Sequence, residues 1–273
     1  MPIVTLNDIL PDARRKGRGI TAFNVANMET LYSVVRAAEM EHSPLIVQVY
    51  QRLFNDDRAE LIAAMTMKLA QKTDIPIALH LDHSSSLDQI RKAVEIGFTS
   101  VMIDGSALLF EENIALTSQA TEIAHKAGLT IEAEIGHVPF GDGEVKLSEV
   151  SEAVEFIAKT KVDALAISIG TAHGFYKKTP KLDIQRAREI GRNVSIPLVL
   201  HGGTGVPDDQ LRESIKCGIA KINIATEMQN LFVRSIADEI QKNGSKFLPV
   251  DLYFKPVEEI LIKYAQKKIK ALA

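Results

Sequence analysis

Cysteine is almost absent from this chain. Cys217 is the only one in 273 residues, so no disulfide can form within it, which fits a reducing compartment. Tryptophan is missing and aromatics make up only 5%. No apolar run approaches the length of a membrane span, and the first residues carry no apolar signal core. The expected location is therefore cytoplasmic, with no membrane partner. Neither sign of charge dominates: 32 Lys and Arg against 35 Asp and Glu leave a net charge of −3. No basic patch interleaves with aromatics, which argues against a nucleic-acid partner. Low-complexity segments and compositional breaks are also lacking. The remaining composition, 46% hydrophobic and 25% charged, is that of a globular protein with a large core.

The hydrophobic pattern supplies the organisation. A short helix is expected over 5–16, followed by eight short apolar runs: 20–25, 45–50, 76–84, 100–104, 130–135, 164–169, 197–200 and 221–225. Most lack strict alternation, as expected of strands buried on both faces. Each run is followed by a segment of helical spacing, such as Leu31, Val34, Val35 and Ala38 after the first. The last barrel helix is expected over 226–243, and one more over 256–271. Eight βα units predict an α/β fold, a (β/α)8 TIM barrel with a short N-terminal helix and an extra C-terminal helix. Residues 1–273 are expected to form a single domain. A doubly wound open sheet is the rival, but no GxGxxG follows the first strand.

In such a barrel, function lies at the C-terminal ends of the strands. The third run, Pro76–Ser84, ends in Asp82 and His83. Asn24 ends the first, Asp104 the fourth, and Glu132 and Glu134 lie in the fifth. His173 follows the sixth run, His201 the seventh, and Asn223 lies in the eighth. Three imidazoles, His83, His173 and His201, with an open fourth position would make a catalytic zinc site. His80 points the other way along its strand and reads as structural. Gly202–Gly205 (GGTG) and Ile222–Thr226 (INIAT) follow the last two strands, where barrels often bind phosphate. Lys177, four residues after His173, could add a point charge. Zinc beside phosphate points to a phosphorylated carbonyl substrate. Asp82 is the natural proton shuttle, and Asn223 could donate a hydrogen bond to an enediolate. No lysine ends the sixth strand and Lys221 precedes the eighth, which leaves a Schiff-base mechanism without a candidate. A catalytically silent sugar-phosphate-binding barrel is the reading from a different class.

These residues lie in motifs that span nearly the whole chain: AFNVANMET (22–30), HLDH (80–83), VMIDGS (101–106), EENI (111–114), IEAEIG (131–136), HGFYK (173–177), LHGGTG (200–205) and KINIAT (221–226). In them the sequence resembles the class II, zinc-dependent ketose-bisphosphate aldolases, the fructose- and tagatose-bisphosphate aldolase family. The resemblance implies reversible cleavage of a ketose (bis)phosphate to dihydroxyacetone phosphate and an aldehyde. It implies Asp82 as proton shuttle and Zn2+ on His83, His173 and His201. Asp104 and Glu134 match an alternative, buried metal position. Gly174, Gly202, Gly203, Thr204, Asn223, Ile224, Ala225 and Thr226 match residues that bind dihydroxyacetone phosphate; Asn24 and Lys177 are added here as candidate substrate contacts. Carbonyls near Gly174 and Gly202 match a monovalent-cation site (Na+ or K+). The family assembles as dimers or tetramers, so a homodimer or homotetramer is expected.

Three departures fall on the aldehyde side. Gln48–Phe54 (QVYQRLF) is bulky where the family has small residues and a serine. The loop GHVPFGDGE (136–144) lacks the usual glycine pair; Asp142 falls nearest the family's mobile acid, with Glu144 second. The chain ends at KKIKALA (267–273) without the family's distal-phosphate arginine. Arg52 reads equally as a compensating cation and as a solvated loop charge. The expected aldehyde is therefore non-standard, and it need not be phosphorylated.

Overall fold

The computed structural model describes residues 3–141, 143 and 145–273. A single 3-10 turn (Leu6–Asp8) and helix α1 (Leu10–Lys16) come first. Eight parallel strands then close into a barrel in chain order: β1 (Ile20–Asn24), β2 (Leu45–Tyr50), β3 (Ile77–Ser84), β4 (Ser100–Ile103), β5 (Thr130–Ile135), β6 (Ala164–Ile167), β7 (Leu198–Leu200) and β8 (Ile219–Ile224). The helices between them are α2 (Met28–Met40), α3 (Gln51–Phe54), α4 (Arg58–Ala70), α5 (Leu87–Ile96), α6 (Phe110–Lys126), α7 (Val150–Thr160), α8 (Ile184–Asn193) and α9 (Asp208–Ile215). Helices α10 (Thr226–Asn243) and α11 (Val250–Leu272) complete the chain.

Side chains alternate across each strand, so the barrel has two cores. Phe23, Val47, Leu79, Val101, Ile131, Leu165 and Ile222 point outward into the shell beneath the helices. Each fully buried aliphatic there contributes roughly 1.5–3 kcal/mol. The bore is filled differently, by Ala22, Ile46, Ala78, Ala164, Ala166, Val199 and Ala220. These small residues leave room for a plug at the strands' N-terminal ends, formed by Leu6, Ile9, Leu10 and Ala13. Arg14 fixes the plug, donating to the Gly191 and Val194 carbonyls at 2.8 and 2.7 Å and to that of Ile196. Gly17, at φ 64°, ends α1 in the left-handed conformation that glycine adopts without penalty. Polar residues are thereby displaced to the opposite mouth.

The elements depart from expectation at four places. The helix α3 follows β2 directly, because Leu53 and Phe54 bury themselves and Phe54 meets Phe98 edge-on at 5.7 Å. Helix α11 begins at Val250, before Pro256; that proline sits inside the helix, removing one backbone donor rather than starting the helix. Ser148, a residue type suited to cap α7, does not do so: Glu149 holds the N-cap position without a side-chain cap hydrogen bond, and the Ser148 hydroxyl donates to the Ile135 carbonyl at 2.7 Å. Lys221 does not precede its strand: β8 starts at Ile219 and places Lys221 within the barrel, fully buried.

Candidate active site

Adjacent residues of a strand face opposite ways, yet Asp82 and His83 line one cavity. The backbone resolves the conflict. The β3–β4 register shifts between Leu81 and Ser84, and His83 adopts φ 53°. A left-handed non-glycine residue costs about 1–2 kcal/mol, and a local bulge re-aims the side chain it carries. His83 is turned back into the mouth beside Asp82 by that distortion.

Each of three imidazoles has one nitrogen tied down. His83 Nδ1 lies 2.7 Å from Asp104 Oδ2, His201 Nε2 lies 2.7 Å from Glu132 Oε1, and His173 Nδ1 lies 3.1 Å from the Val138 carbonyl. All three partners accept, so these nitrogens carry the protons, a tautomer assignment that follows from the network. The remaining nitrogens converge: His83 Nε2 is 2.8 Å from His201 Nδ1, and the donor atoms of the three lie within 4.8 Å of one another. Two imidazole lone pairs at that separation repel unless a cation or a proton lies between them. Without a metal, the proton is held by His83. Burial opposes its charge, but Asp82, Asp104 and Glu134 outweigh burial and push its pKa up to about 10. His173 is driven down to about 4 by burial and by His83. A second group, His83, Asp104 and Glu134, also falls within 4.8 Å. Burial and the nearby Asp104 raise Glu134 to about 8, and its buried Oε2 has no hydrogen-bond partner. A donor set of imidazole lone pairs, with an orphaned carboxylate oxygen beside them, fits a divalent metal.

Asp82 is held from both sides. Asn24 Nδ2 donates to it at 2.7 Å and Asn223 Nδ2 at 3.3 Å. The oxygen of each amide is occupied in turn: Gln48 donates to Asn24 at 2.9 Å and Lys221 to Asn223 at 2.9 Å. Both amides are thereby locked with their NH2 groups toward the carboxylate. Burial raises the Asp82 pKa, but His83, His201, Lys221 and the Asn24 hydrogen bond overcome it, and the net shift is downward. Lys221 also pairs with Glu132 Oε2 at 2.8 Å. One ammonium therefore supports Asn223 directly and His201 through Glu132. His80, as expected of a structural residue, is buried with Nδ1 2.9 Å from Ser100 Oγ.

The mouth encloses a cavity of about 480 Å³, within the range of small-molecule sites. Asn24, Asp82, His83, Asp104, His173, Gly174, Gly202, Thr204, Asn223, Ala225 and Thr226 line it. Gly202 has φ 64°, and a Cβ there would meet the Ala172 carbonyl at 2.3 Å, so only glycine fits. Ala225, the N-cap of α10, offers no side-chain cap; the Thr204 hydroxyl accepts the Glu227 N–H at 3.4 Å, which brings the start of the helix against the same corner. That corner suits an anion. Other expected contacts do not line the cavity. Gly203 donates its N–H to the Asn223 carbonyl at 3.1 Å, Ile224 is buried in the outer shell, and Lys177 is exposed on its loop. The Gly202 carbonyl, expected near a monovalent cation, accepts the Tyr176 hydroxyl at 2.8 Å. Asp142 and Glu144 lie outside the described residues. Lining residues without an earlier assignment include Tyr50, Gln51, Ser85, His137, Val138 and Gln229; Phe140 lines it as well. The supporting pair Glu132–Lys221 was also missed, although the alternation of Glu132 and Glu134 with Ile131 and Ala133 marks an inward polar face.

Known proteins share this arrangement of chain. A family described as fructose-bisphosphate aldolase class-II matches residues 4–273. A sulfofructosephosphate aldolase of Alkalicoccus urumqiensis is 37% identical over 254 residues, 90% of this chain and 88% of its own. The crystal structure of the YdjI aldolase from Escherichia coli K12 superposes with a TM-score of 0.88 at 33% identity, covering 99% of this chain and 97% of that one. A fructose-bisphosphate aldolase from Campylobacter jejuni, 21% identical, shares the fold over 99% and 95% of the two chains with a TM-score of 0.85. From its fold and its match along nearly all its length, the chain belongs to the class II fructose-bisphosphate aldolase family.

Proposed function

We propose that this protein catalyses the zinc-dependent, reversible aldol cleavage of a ketose phosphate to dihydroxyacetone phosphate and an aldehyde. The observation that carries this reading is the convergence of three imidazole lone pairs, each fixed from behind, beside a carboxylate locked by two amides. His83, His173 and His201 would hold the metal, with Asp104 and Glu134 offering a second position. Zinc, when bound, supplies Lewis acidity at the substrate carbonyl. Gly174, Gly202, Thr204, Ala225 and Thr226 cradle the phosphate.

In the synthetic direction, Asp82 takes a proton from the hydroxymethyl carbon of dihydroxyacetone phosphate. The electron pair left behind gives an enediolate, to which Asn223 can donate. That carbon then bonds to the aldehyde carbon, and the aldehyde oxygen takes up a proton. We assign that proton to Asp142, with Glu144 as the alternative. Cleavage reverses each transfer, and Asp82 returns its proton to the enediolate. A Schiff base has no support here, since Lys221 is fully buried and occupied by Glu132 and Asn223.

The test is release of dihydroxyacetone phosphate from ketose 1-phosphates before and after dialysis against a chelator. Activity should disappear with the metal, return with zinc, and resist borohydride. Borohydride trapping with chelator resistance would overturn the reading. A homo-oligomer is part of the proposal. Val233 and Ile240 lie two turns apart on α10, and Val250 and Phe247 follow; all are exposed, Phe247 at 91%. Light scattering would read the oligomer directly.

A further inference from the structure

Helix α11 carries a charge on its apolar face. Val257, Leu261, Ala265, Ile269 and Leu272 form its buried stripe, and Lys268 lies within that stripe, 9% exposed. A lysine so placed is rare unless it is paired. Two carboxylates are in reach of its ammonium: Glu227 Oε2 at 3.4 Å and Asp208 Oδ1 at 3.9 Å. Tyr264, one turn earlier, adds a second hold. Its hydroxyl donates to the same Glu227 oxygen at 2.7 Å, and its ring centroid lies 5.8 Å from the ammonium. Burial and the Glu227 carboxylate raise the pKa of the phenol, so it stays protonated and keeps donating.

Both carboxylates stand at helix starts beside the phosphate corner. Asp208 is the first residue of α9, which follows the loop that carries Gly202 and Thr204. Glu227 is the second residue of α10, next to Thr226. The Glu227 N–H goes to the Thr204 hydroxyl, and Thr204, Ala225 and Thr226 line the cavity. Acidic side chains are favourable in the first turn of a helix, but a carboxylate beside a phosphate repels it. Neither Asp208 nor Glu227 lines the cavity, and no residue of α11 does. One ammonium on α11 thus gathers the negative charge from the starts of the two helices that flank the corner.

We infer that Lys268, assisted by Tyr264, is a positioning residue for the substrate phosphate: it neutralises and holds the Glu227 carboxylate, so that the corner of Thr204, Ala225 and Thr226 accepts an anion. The inference rests on the aldolase reading and deepens it, because a helix outside the cavity sets the affinity for dihydroxyacetone phosphate.

Solvent-deuterium exchange into dihydroxyacetone phosphate by the zinc-loaded enzyme, followed by NMR, reads this half of the site without any aldehyde. Lys268→Met should raise KM for dihydroxyacetone phosphate by roughly three- to tenfold with kcat nearly unchanged, and the ratio to wild type should shrink at high salt. Adding Glu227→Gln to Lys268→Met should restore most of the loss, since the unpaired charge is then gone. Lys268→Arg should stay near wild type, and Tyr264→Phe should raise KM less than Lys268→Met does. Denaturant unfolding reports whether each variant is folded; should Lys268→Met fail to fold, Lys268→Gln carries the same expectation. A folded variant with wild-type KM would overturn the inference. So would a fall in kcat at constant KM, or a rise in KM that Glu227→Gln does not relieve, because a merely structural role gives those results. Failure of the wild-type enzyme to exchange would remove the aldolase reading and the inference with it.

Discussion

The floor of the site and its rim are built on different terms. On the floor, Lys221, Glu132, His80, Gln48, Asn24 and Asn223 are at most 6% exposed, and the amides, the ammonium and the converging imidazoles hold one another in a single arrangement. At the rim, Phe140 is 82% exposed, and among the described residues Arg52 pairs with Tyr50 rather than with a carboxylate. A buried polar network tolerates little change, because each unpaired group costs the loss of its hydration. A rim residue can be replaced without disturbing its neighbours. In the proposed reaction, proton transfer would fall to the packed floor and the choice of aldehyde to the rim, which is left open to variation.

Substitutions on the floor should separate chemistry from architecture. Asp82→Ala is expected to have the largest effect, a loss of roughly 10²–10⁴-fold in turnover, the range for a general base. Deuterium exchange should be lost with it, while zinc content by mass spectrometry stays unchanged. Loss of zinc as well would mean that base and metal site cannot be separated. Lys221→Met should act on stability. It leaves Glu132 buried without its cation, a change that costs about 3–5 kcal/mol, measurable by denaturant unfolding. Lys221→Met combined with Glu132→Gln should recover much of that loss, as no buried charge remains unpaired.

Two further changes move outward. Gly202→Ala forces a side chain into a left-handed position against the Ala172 carbonyl. The strain of about 1–2 kcal/mol should appear as a roughly tenfold rise in KM for dihydroxyacetone phosphate, with less change in kcat. Phe140 lies over the His173 ring, centroids 4.9 Å apart. Phe140→Ala should cost under about 1 kcal/mol, read as a change of a few-fold in kcat/KM that varies with the aldehyde. A large effect of Phe140→Ala on exchange would break the division between floor and rim.

Apolar runs at regular intervals made the barrel legible in the sequence, because strands buried on both faces cannot hide their composition. His83, His173, His201 and Asp82 were legible because strand ends are where a barrel places its polar groups. What escaped was depth. Whether Glu132 and Lys221 share a layer depends on register between strands that are distant in sequence, and no local pattern carries it. Lys221 was misplaced by two residues of strand boundary, enough to move it from a loop to the interior. Gly203 and Ile224 belong to the right motifs, but the N–H of one is taken by Asn223 and the side chain of the other faces the helices. The left-handed His83 was not visible either: nothing in LDHS announces a bulge. Helix α3 was hidden because four residues are too few to display a period.

The clamp made by Arg14 has a consequence in time. Its helix is complete within the first sixteen residues, but the carbonyls it grips come 177, 180 and 182 residues later. Contacts of such separation are costly in loop-closure entropy, as is the β1–β8 pairing that closes the barrel. The end of the barrel remote from chemistry is thus sealed only when the first and last thirds of the chain have met. Weakening that seal would shorten the lifetime of the folded protein more than it would delay its formation.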